Sequence, residues 1–215
     1  LYERSLAILE SSFGPEHPDV ATALSNLASL LEAQHDYAQA RPLYERSIDI
    51  NIRAQGSNHP QVAAGMGRLA NLLNDMGQDE EARALYEKSL AAYEEVLGTD
   101  HPEVARIMKA LATLLAEQGE FQRAESLFER ALSIEVRALS EDHPETIETQ
   151  RRLAICLLGL GESSAAIEKL RGIEEKQASF LPANSPLRVE TRNLMAAALA
   201  AEGREAEAAV VRAGT

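Results

Sequence analysis

Four of the five histidines precede a proline, at His17, His59, His101 and His143, each 42 residues after the one before. Histidine is a common metal ligand, but ligands must converge within about 2 Å of one ion. Residues one whole repeat apart sit on the order of 10 Å from each other, the distance at which helices pack. These rings are therefore read as punctuation at helix starts. The single cysteine, Cys156, could be a nucleophile only beside an activating base. The nearest histidine in sequence, His143, opens the same helix more than about three turns away. Cys156 stands in the row of Leu72 and Leu114 and reads as a small apolar core residue. The chain has no Gly-rich phosphate loop, no serine elbow and no His-Glu-x-x-His helix. No catalytic residue, metal or cofactor is expected, and the chain is read as not an enzyme.

The chemistry that remains is recognition by charge and by amides. Arg68, Arg106, Lys109, Arg151 and Arg152 lie on helix faces opposite Leu27, Leu69, Leu111 and Leu153, and so do Asn26, Asn71 and Asn74. Guanidinium and ammonium groups attract carboxylates, and amide side chains both donate to and accept from a peptide backbone. Five of the 21 basic residues would then gather on one surface of an acidic protein. The competing reading is that Arg151 and Arg152 pair with Glu148 and neighbouring acids, as exposed helix charges often do at little gain.

The elements that must position these residues repeat at the histidine interval. Ala40 recurs as Ala82, Ala124, Ala166 and Ala208, and Gly77 as Gly119, Gly161 and Gly203, with no insertion. Strict self-similarity at such a period indicates a stacked repeat protein. Each full unit begins with His-Pro, and Ser185-Pro186 continues the series, because proline fits the first helical positions; an acid such as Asp19 or Glu103 favours the helix N-terminus. Val20, Leu24, Leu27 and Leu31 have helical spacing. A break at His35-Asp36, and at the glycines in later units, turns the chain into a second helix with Ala40, Tyr44 and Ile48 inward. Each unit is thus a helical hairpin that cannot bury both faces alone. One array over 1–215 is expected: 1–12 the second helix of a truncated unit, full units at 17–55, 59–96, 101–138 and 143–180, and an incomplete terminal unit at 185–215. The opening at Leu1, without Met and inside a unit, suggests a fragment of something longer.

Composition supports an all-α fold: hydrophobic residues are 45% and aromatics only 4%, a mixture that suits closely packed helices. The net charge of −13 repels a polyanion, so nucleic acid is not an expected partner. No run of 18 apolar residues suggests a membrane span, and no signal-peptide pattern opens the chain. A cytoplasmic location is expected.

The order Leu27-Ala28, Leu31, Ala40, Tyr44 recurs as Leu69-Ala70, Leu73, Ala82, Tyr86 and as Leu111-Ala112, Leu115, Ala124, Phe128, and it resembles the tetratricopeptide repeat signature. With its 42-residue unit, its linker Leu97-Gly98, Asp100-His101-Pro102, Val104-Ala105 and its Leu-Tyr-Glu-Arg-Ser-Leu helix, the chain resembles the kinesin-light-chain type. The resemblance implies an all-α, right-handed solenoid of antiparallel hairpins whose first helices line a concave groove holding an extended peptide or a partner helix. In that register the groove carries Asn26, Arg68, Asn71, Asn74, Arg106, Lys109, Arg151 and Arg152, with Glu148 and Glu190 beside them. The expected function is a non-catalytic protein-interaction scaffold for an extended, acidic segment. The alternative is a sensor or self-assembly segment of a larger multidomain signalling protein, associating through its exposed ends. Two features depart from relatives: only Ser25-Asn26-Leu27-Ala28 approaches the Asn-Asn-Leu-Ala element, and no three consecutive complete units supply a carboxylate clamp.

Overall fold

The structure, a computed structural model, describes residues 2–214, and the side chains of residues 4–214; Leu1 and Thr215, the two ends of the expected array, lie outside the described residues. Eleven helices and no strand occur among the described residues: α1 (Tyr2–Phe13), α2 (Pro18–Ala33), α3 (Tyr37–Gln55), α4 (Pro60–Asp75), α5 (Asp79–Leu97), α6 (Pro102–Glu117), α7 (Phe121–Ala138), α8 (Pro144–Gly159), α9 (Ser163–Ala178), α10 (Pro186–Ala201) and α11 (Glu205–Ala213). They fall into two compact units, 1–110 and 111–215, the division lying within α6.

The His-Pro starts work through the imidazole. His17, His59, His101 and His143 each accept at Nδ1 a hydrogen bond from the backbone N–H two residues on, in Asp19, Gln61, Glu103 and Glu145, at 3.1–3.3 Å. One otherwise orphaned donor of the first turn is thereby satisfied. The turns between paired helices need a left-handed residue, supplied by glycine at Gly77 (φ 72°) and its equivalents. His35 occupies the same place in the first hairpin with φ 60°. There Asp36 N–H reaches Leu31 O at 2.8 Å, just as Gln78 N–H reaches Leu73 O at 2.8 Å.

In the first unit α2 packs on α3 and α4 on α5. Ala28, Ala40, Ala70 and Ala82 are fully buried, so the helices approach closely between Val20, Leu24 and Tyr44 and between Val62, Leu73 and Tyr86. Ser47 Oγ donates to Ala21 O, and Ser89 Oγ to Ala63 O, both at 2.7 Å. The same buried bond thus recurs one repeat on. α3 runs unbroken through Pro42, in its second turn.

In the second unit Ile147, Leu170, Ile173, Met195 and Leu199 form the apolar centre among α8, α9 and α10. Arg192 occupies the row of Leu24 yet is buried, with Nη2 donating to Ala183 O at 2.6 Å. Arg188 donates to Leu181 O and to Glu174 Oε1. Together they pin the linker ahead of α10. No helix among the described residues is long and apolar enough to cross a membrane.

Candidate binding surface on the first helices

In the first unit, α2 and α4 carry a polar layer above the buried rings. Tyr44 is 1% exposed, but its hydroxyl donates to Glu32 Oε2 at 2.6 Å and lies 2.8 Å from Ser29 Oγ. Burial, and then the bond to Glu32, pushes its pKa well above the ordinary tyrosine value, so it stays a neutral donor. One repeat on, Tyr86 OH donates to Asn71 Oδ1 at 2.6 Å. Sequence reasoning assigned both tyrosines to the core; the rings are there, and the hydroxyls hold Glu32, Ser29 and Asn71 in place. Only the hydroxyl that separates tyrosine from phenylalanine could have signalled this.

Arg68 Nη1 donates to Ser25 Oγ at 2.7 Å, and Arg68 makes no ion pair with any described residue. It is exposed on the same helix as exposed Asn71 and half-buried Asn74, while Asn26 is exposed on α2. Arg106 pairs with Glu103 at 2.8 Å. Both Arg106 and Arg68 act on the hydroxyl of Tyr93, whose pKa is nevertheless raised, first by burial and then by Glu103. Lys109 is half-buried on α6.

In the second unit Arg151 is sandwiched between carboxylates. It lies 2.8 Å from Glu148 and 2.5 Å from Glu190, with 13% of its side chain exposed. Burial works against its charge, but the bonds to Glu148 and Glu190 outweigh it and hold the pKa above the usual arginine value. Arg152 Nε donates to Glu148 Oε1 at 2.9 Å, and Nη1 to Thr113 Oγ1 at 3.1 Å. Of the five basic residues expected to line the groove, Arg151 and Arg152 are thus paired with acids as the competing reading has it, and Arg106 is paired with Glu103 as well. Glu148 is shared by two arginines, and Arg151 has Glu190 as well. Arg152 can therefore leave Glu148 without stranding a carboxylate. Beside it lies a hollow of about 220 Å³ walled by Phe121, Phe128 and Ile155. Phe128 stands in the row of Tyr44 and Tyr86 and has no hydroxyl to fill that end.

A further row went unread in the sequence. Asn51, Tyr93, Glu135 and Gln177 recur every 42 residues near the ends of second helices, and all four are buried. Their polarity at a buried, periodic position was the available signal.

Cys156 is fully buried, and burial, then Glu125, pushes its thiol up to about 11, the opposite of nucleophile activation. Among the described residues no three of His, Cys, Asp and Glu come together as a metal site.

A tetratricopeptide repeat family model matches residues 1–53, 19–78 and 61–135. A putative kinesin light chain from Podosopora anserina, with nearly identical TPR-like repeats, superposes with a TM-score of 0.81 at 27% identity, over 92% of this chain and 94% of that one. BtubC (BKLC) from P. vanneervenii gives 0.82 at 18% identity, over 98% and 83%. YrrB, described as a TPR protein with an unusual peptide-binding site, gives 0.66 at 17% identity, over 99% and 89%. The last two establish likeness of fold alone. No curated protein matches the chain. On the repeat geometry and the family match over more than half its length, this chain belongs to the tetratricopeptide repeat family, with hairpins of the kinesin-light-chain kind.

Proposed function

We propose that the chain is a non-catalytic, cytoplasmic scaffold that binds an extended acidic protein segment on the polar faces of its first helices. The observation that carries this reading is Arg68. It is exposed, it bonds a neutral hydroxyl and not a carboxylate, and it shares a helix with Asn71 and Asn74. A carboxylate docking there would meet an uncompensated cation, and charge-assisted bonds of this kind are about twice as strong as neutral ones. Asn26, Asn71 and Asn74 would bond the segment's backbone, and Arg106 and Lys109 would add positive potential. In the second unit Arg152 is the residue to engage an acid, since Glu148 and Glu190 keep Arg151. YrrB, which has this fold, is described as having a peptide-binding site, and repeats of this family generally serve as interaction scaffolds.

The test is capture of peptides of graded charge at low and high salt, beside a variant carrying Arg68→Glu, Lys109→Glu and Arg152→Glu. Selective capture of acidic peptides, weakened by salt and lost in the variant, supports the reading. Capture indifferent to charge refutes the acidic preference. If no peptide is captured, the reading shifts to assembly through α1, whose Ile8 and Phe13 are 55% and 56% exposed.

A further inference from the structure

The hollow beside Arg152 has a filled counterpart two repeats earlier in the chain. Among α2, α3 and α4 the Tyr44 hydroxyl donates to the Glu32 carboxylate at 2.6 Å, and Ser29 Oγ lies 2.8 Å from the same hydroxyl. The basic residue of that set is Arg68, on α4. Two repeats on, among α6, α7 and α8, Ala116 stands in the place of Glu32 and Phe128 in the place of Tyr44, while the arginine is kept as Arg152. The carboxylate and the hydroxyl are both gone, and a space of about 220 Å³ lies between Ala116, Phe128 and Arg152.

The remaining walls are rebuilt to suit an apolar stem with a charged head. Ile155 takes the place of Asn71 and is 37% exposed. Phe121 packs on the bare backbone of Gly159, where a Cβ would come within 2.6 Å of its ring. Thr113, equivalent to Ser29, stays polar and accepts from Arg152 Nη1 at 3.1 Å. Arg152 reaches Glu148 through Nε, so the donors of Nη2 remain for a ligand, on a side chain that is 40% exposed. Glu117, one residue past the lost carboxylate, is exposed at the rim, and its charge disfavours a doubly charged group such as a phosphate.

We propose that this hollow takes a glutamate side chain of the bound protein segment, with its methylenes against Phe121, Phe128 and Ile155 and its carboxylate on Arg152. The proposal rests on the scaffold reading above and names the acid that the second unit selects. In the first unit the chain itself puts a glutamate in the equivalent space; in the second, the partner supplies it. The volume holds about seven water-sized groups, room for that side chain and short of an indole. An aspartate is one methylene shorter and cannot keep its stem on the rings and its carboxylate on the guanidinium together. The bond to Arg152 is charge-assisted, which gives the acid its advantage over an amide of the same shape.

The test uses synthetic peptides of polar, extended sequence that retain acids at one end and carry a single Glu, Asp, Gln or Leu moved along the rest. They are titrated against the full chain and three variants: Ala116→Glu combined with Phe128→Tyr, Arg152→Gln, and Arg68→Glu. The double variant returns to the second unit the side chains that share this space in the first, so it keeps the fold, which circular dichroism checks; Arg152→Gln, at a part-exposed position, probes the same space independently. At one position the Glu peptide should bind at least about fourfold more tightly than the Asp peptide, the effect of one more buried methylene. It should bind about fivefold more tightly than the Gln peptide, and more tightly than the Leu peptide. The double variant should remove every one of these preferences, and Arg152→Gln the preference for Glu over Gln. A Leu peptide that binds as tightly as the Glu peptide, or a Glu preference that survives both variants, overturns the proposal. Binding that responds to Arg68→Glu but shows no preference for Glu overturns it and leaves the scaffold reading standing. A Glu preference lost in the double variant, with no response to Arg68→Glu, keeps the proposal and overturns the role given to Arg68. Absence of binding by any peptide overturns both.

Discussion

Glycine to alanine should move stability in opposite directions at two helical sites of this chain. Gly172 lies inside α9, where the equivalent positions in other units are Arg46, Lys88 and Arg130. A methyl group there would meet nothing within 4 Å, because the site opens on a hollow of about 410 Å³ between Leu132, Gln150 and α9. The change therefore carries no steric cost and recovers the helix propensity that glycine forfeits, about 0.5–1 kcal/mol. For a domain of this size that raises Tm by about 1–3 °C. Gly65 in α4 is the contrast: its added methyl would lie 2.7 Å from Ile48 Cγ1. Ile48 is 7% exposed and β-branched, so Cγ1 cannot swing away without leaving its rotamer. Overpacking of this kind costs about 1–3 kcal/mol. After the same propensity gain, Gly65→Ala should lose about 1 kcal/mol net. Calorimetric Tm and urea midpoints of both variants against the parent chain measure the difference. If the two shift stability in the same direction, the close approach of α3 to α4 is not what requires glycine at position 65, and the reasoning fails.

Two further outcomes follow from local geometry. His35 and Ser140 are the two non-glycine residues of positive φ among those described, at 60° and 111°. His35→Gly and Ser140→Gly should each raise stability by about 1 kcal/mol, read as a higher urea midpoint at unchanged slope; a loss at both would show that side-chain contacts such as His35 Nδ1 to Tyr37 OH outweigh backbone strain. Because the folded Cys156 thiol is pushed up to about 11, the folded state keeps its proton between about pH 9 and 11 while the unfolded state loses it. Stability should be undiminished below about pH 8.5 and fall by roughly 2–3 kcal/mol as pH rises through that window. Tyr44 and Tyr93 are also raised and add to the loss, so the quantity to measure is the difference between the parent chain and Cys156→Ala. An equal alkaline loss in both would show that burial of the thiol contributes nothing.

The helical hairpins were legible in the sequence because each is fixed by local chemistry stated several times over. His-Pro opens a helix, a left-handed glycine turns it, and Ala28 and its equivalents leave room for the partner. What the sequence could not state was the third dimension of the side chains. Tyr44 and Tyr86 were rightly read as buried, but a row assignment says nothing of where a hydroxyl ends, and those hydroxyls organise Glu32 and Asn71. The pairing of Arg151 with Glu148 is an i,i+3 contact visible to helical geometry. Its second partner, Glu190, belongs to the next hairpin and is joined only by the packing of α10 beside α8. Arg192 shows the same limit in the core: its row runs Leu24, Met66, Met108 and Gln150, and its linker bond to Ala183 O accounts for a buried arginine there only once the chain path is known.

A repeat protein supplies its own controls, and that changes how departures should be weighed. Every position of the repeat occurs five or six times along the chain, so a residue that differs from its equivalents is marked against at least four others. Loss of a side chain, as at Gly172, leaves a hollow among whose described lining residues no buried polar atom lacks a partner, and simple filling should stabilise it. Loss of a hydroxyl, as at Phe128, leaves an apolar hollow beside an arginine that two acids can spare. At Leu187, Phe180 and Ile147 the departures add apolar bulk, half-exposed to water for Phe180 and Leu187. Solubility and stability alone would favour the acid and alanine found at the equivalent positions.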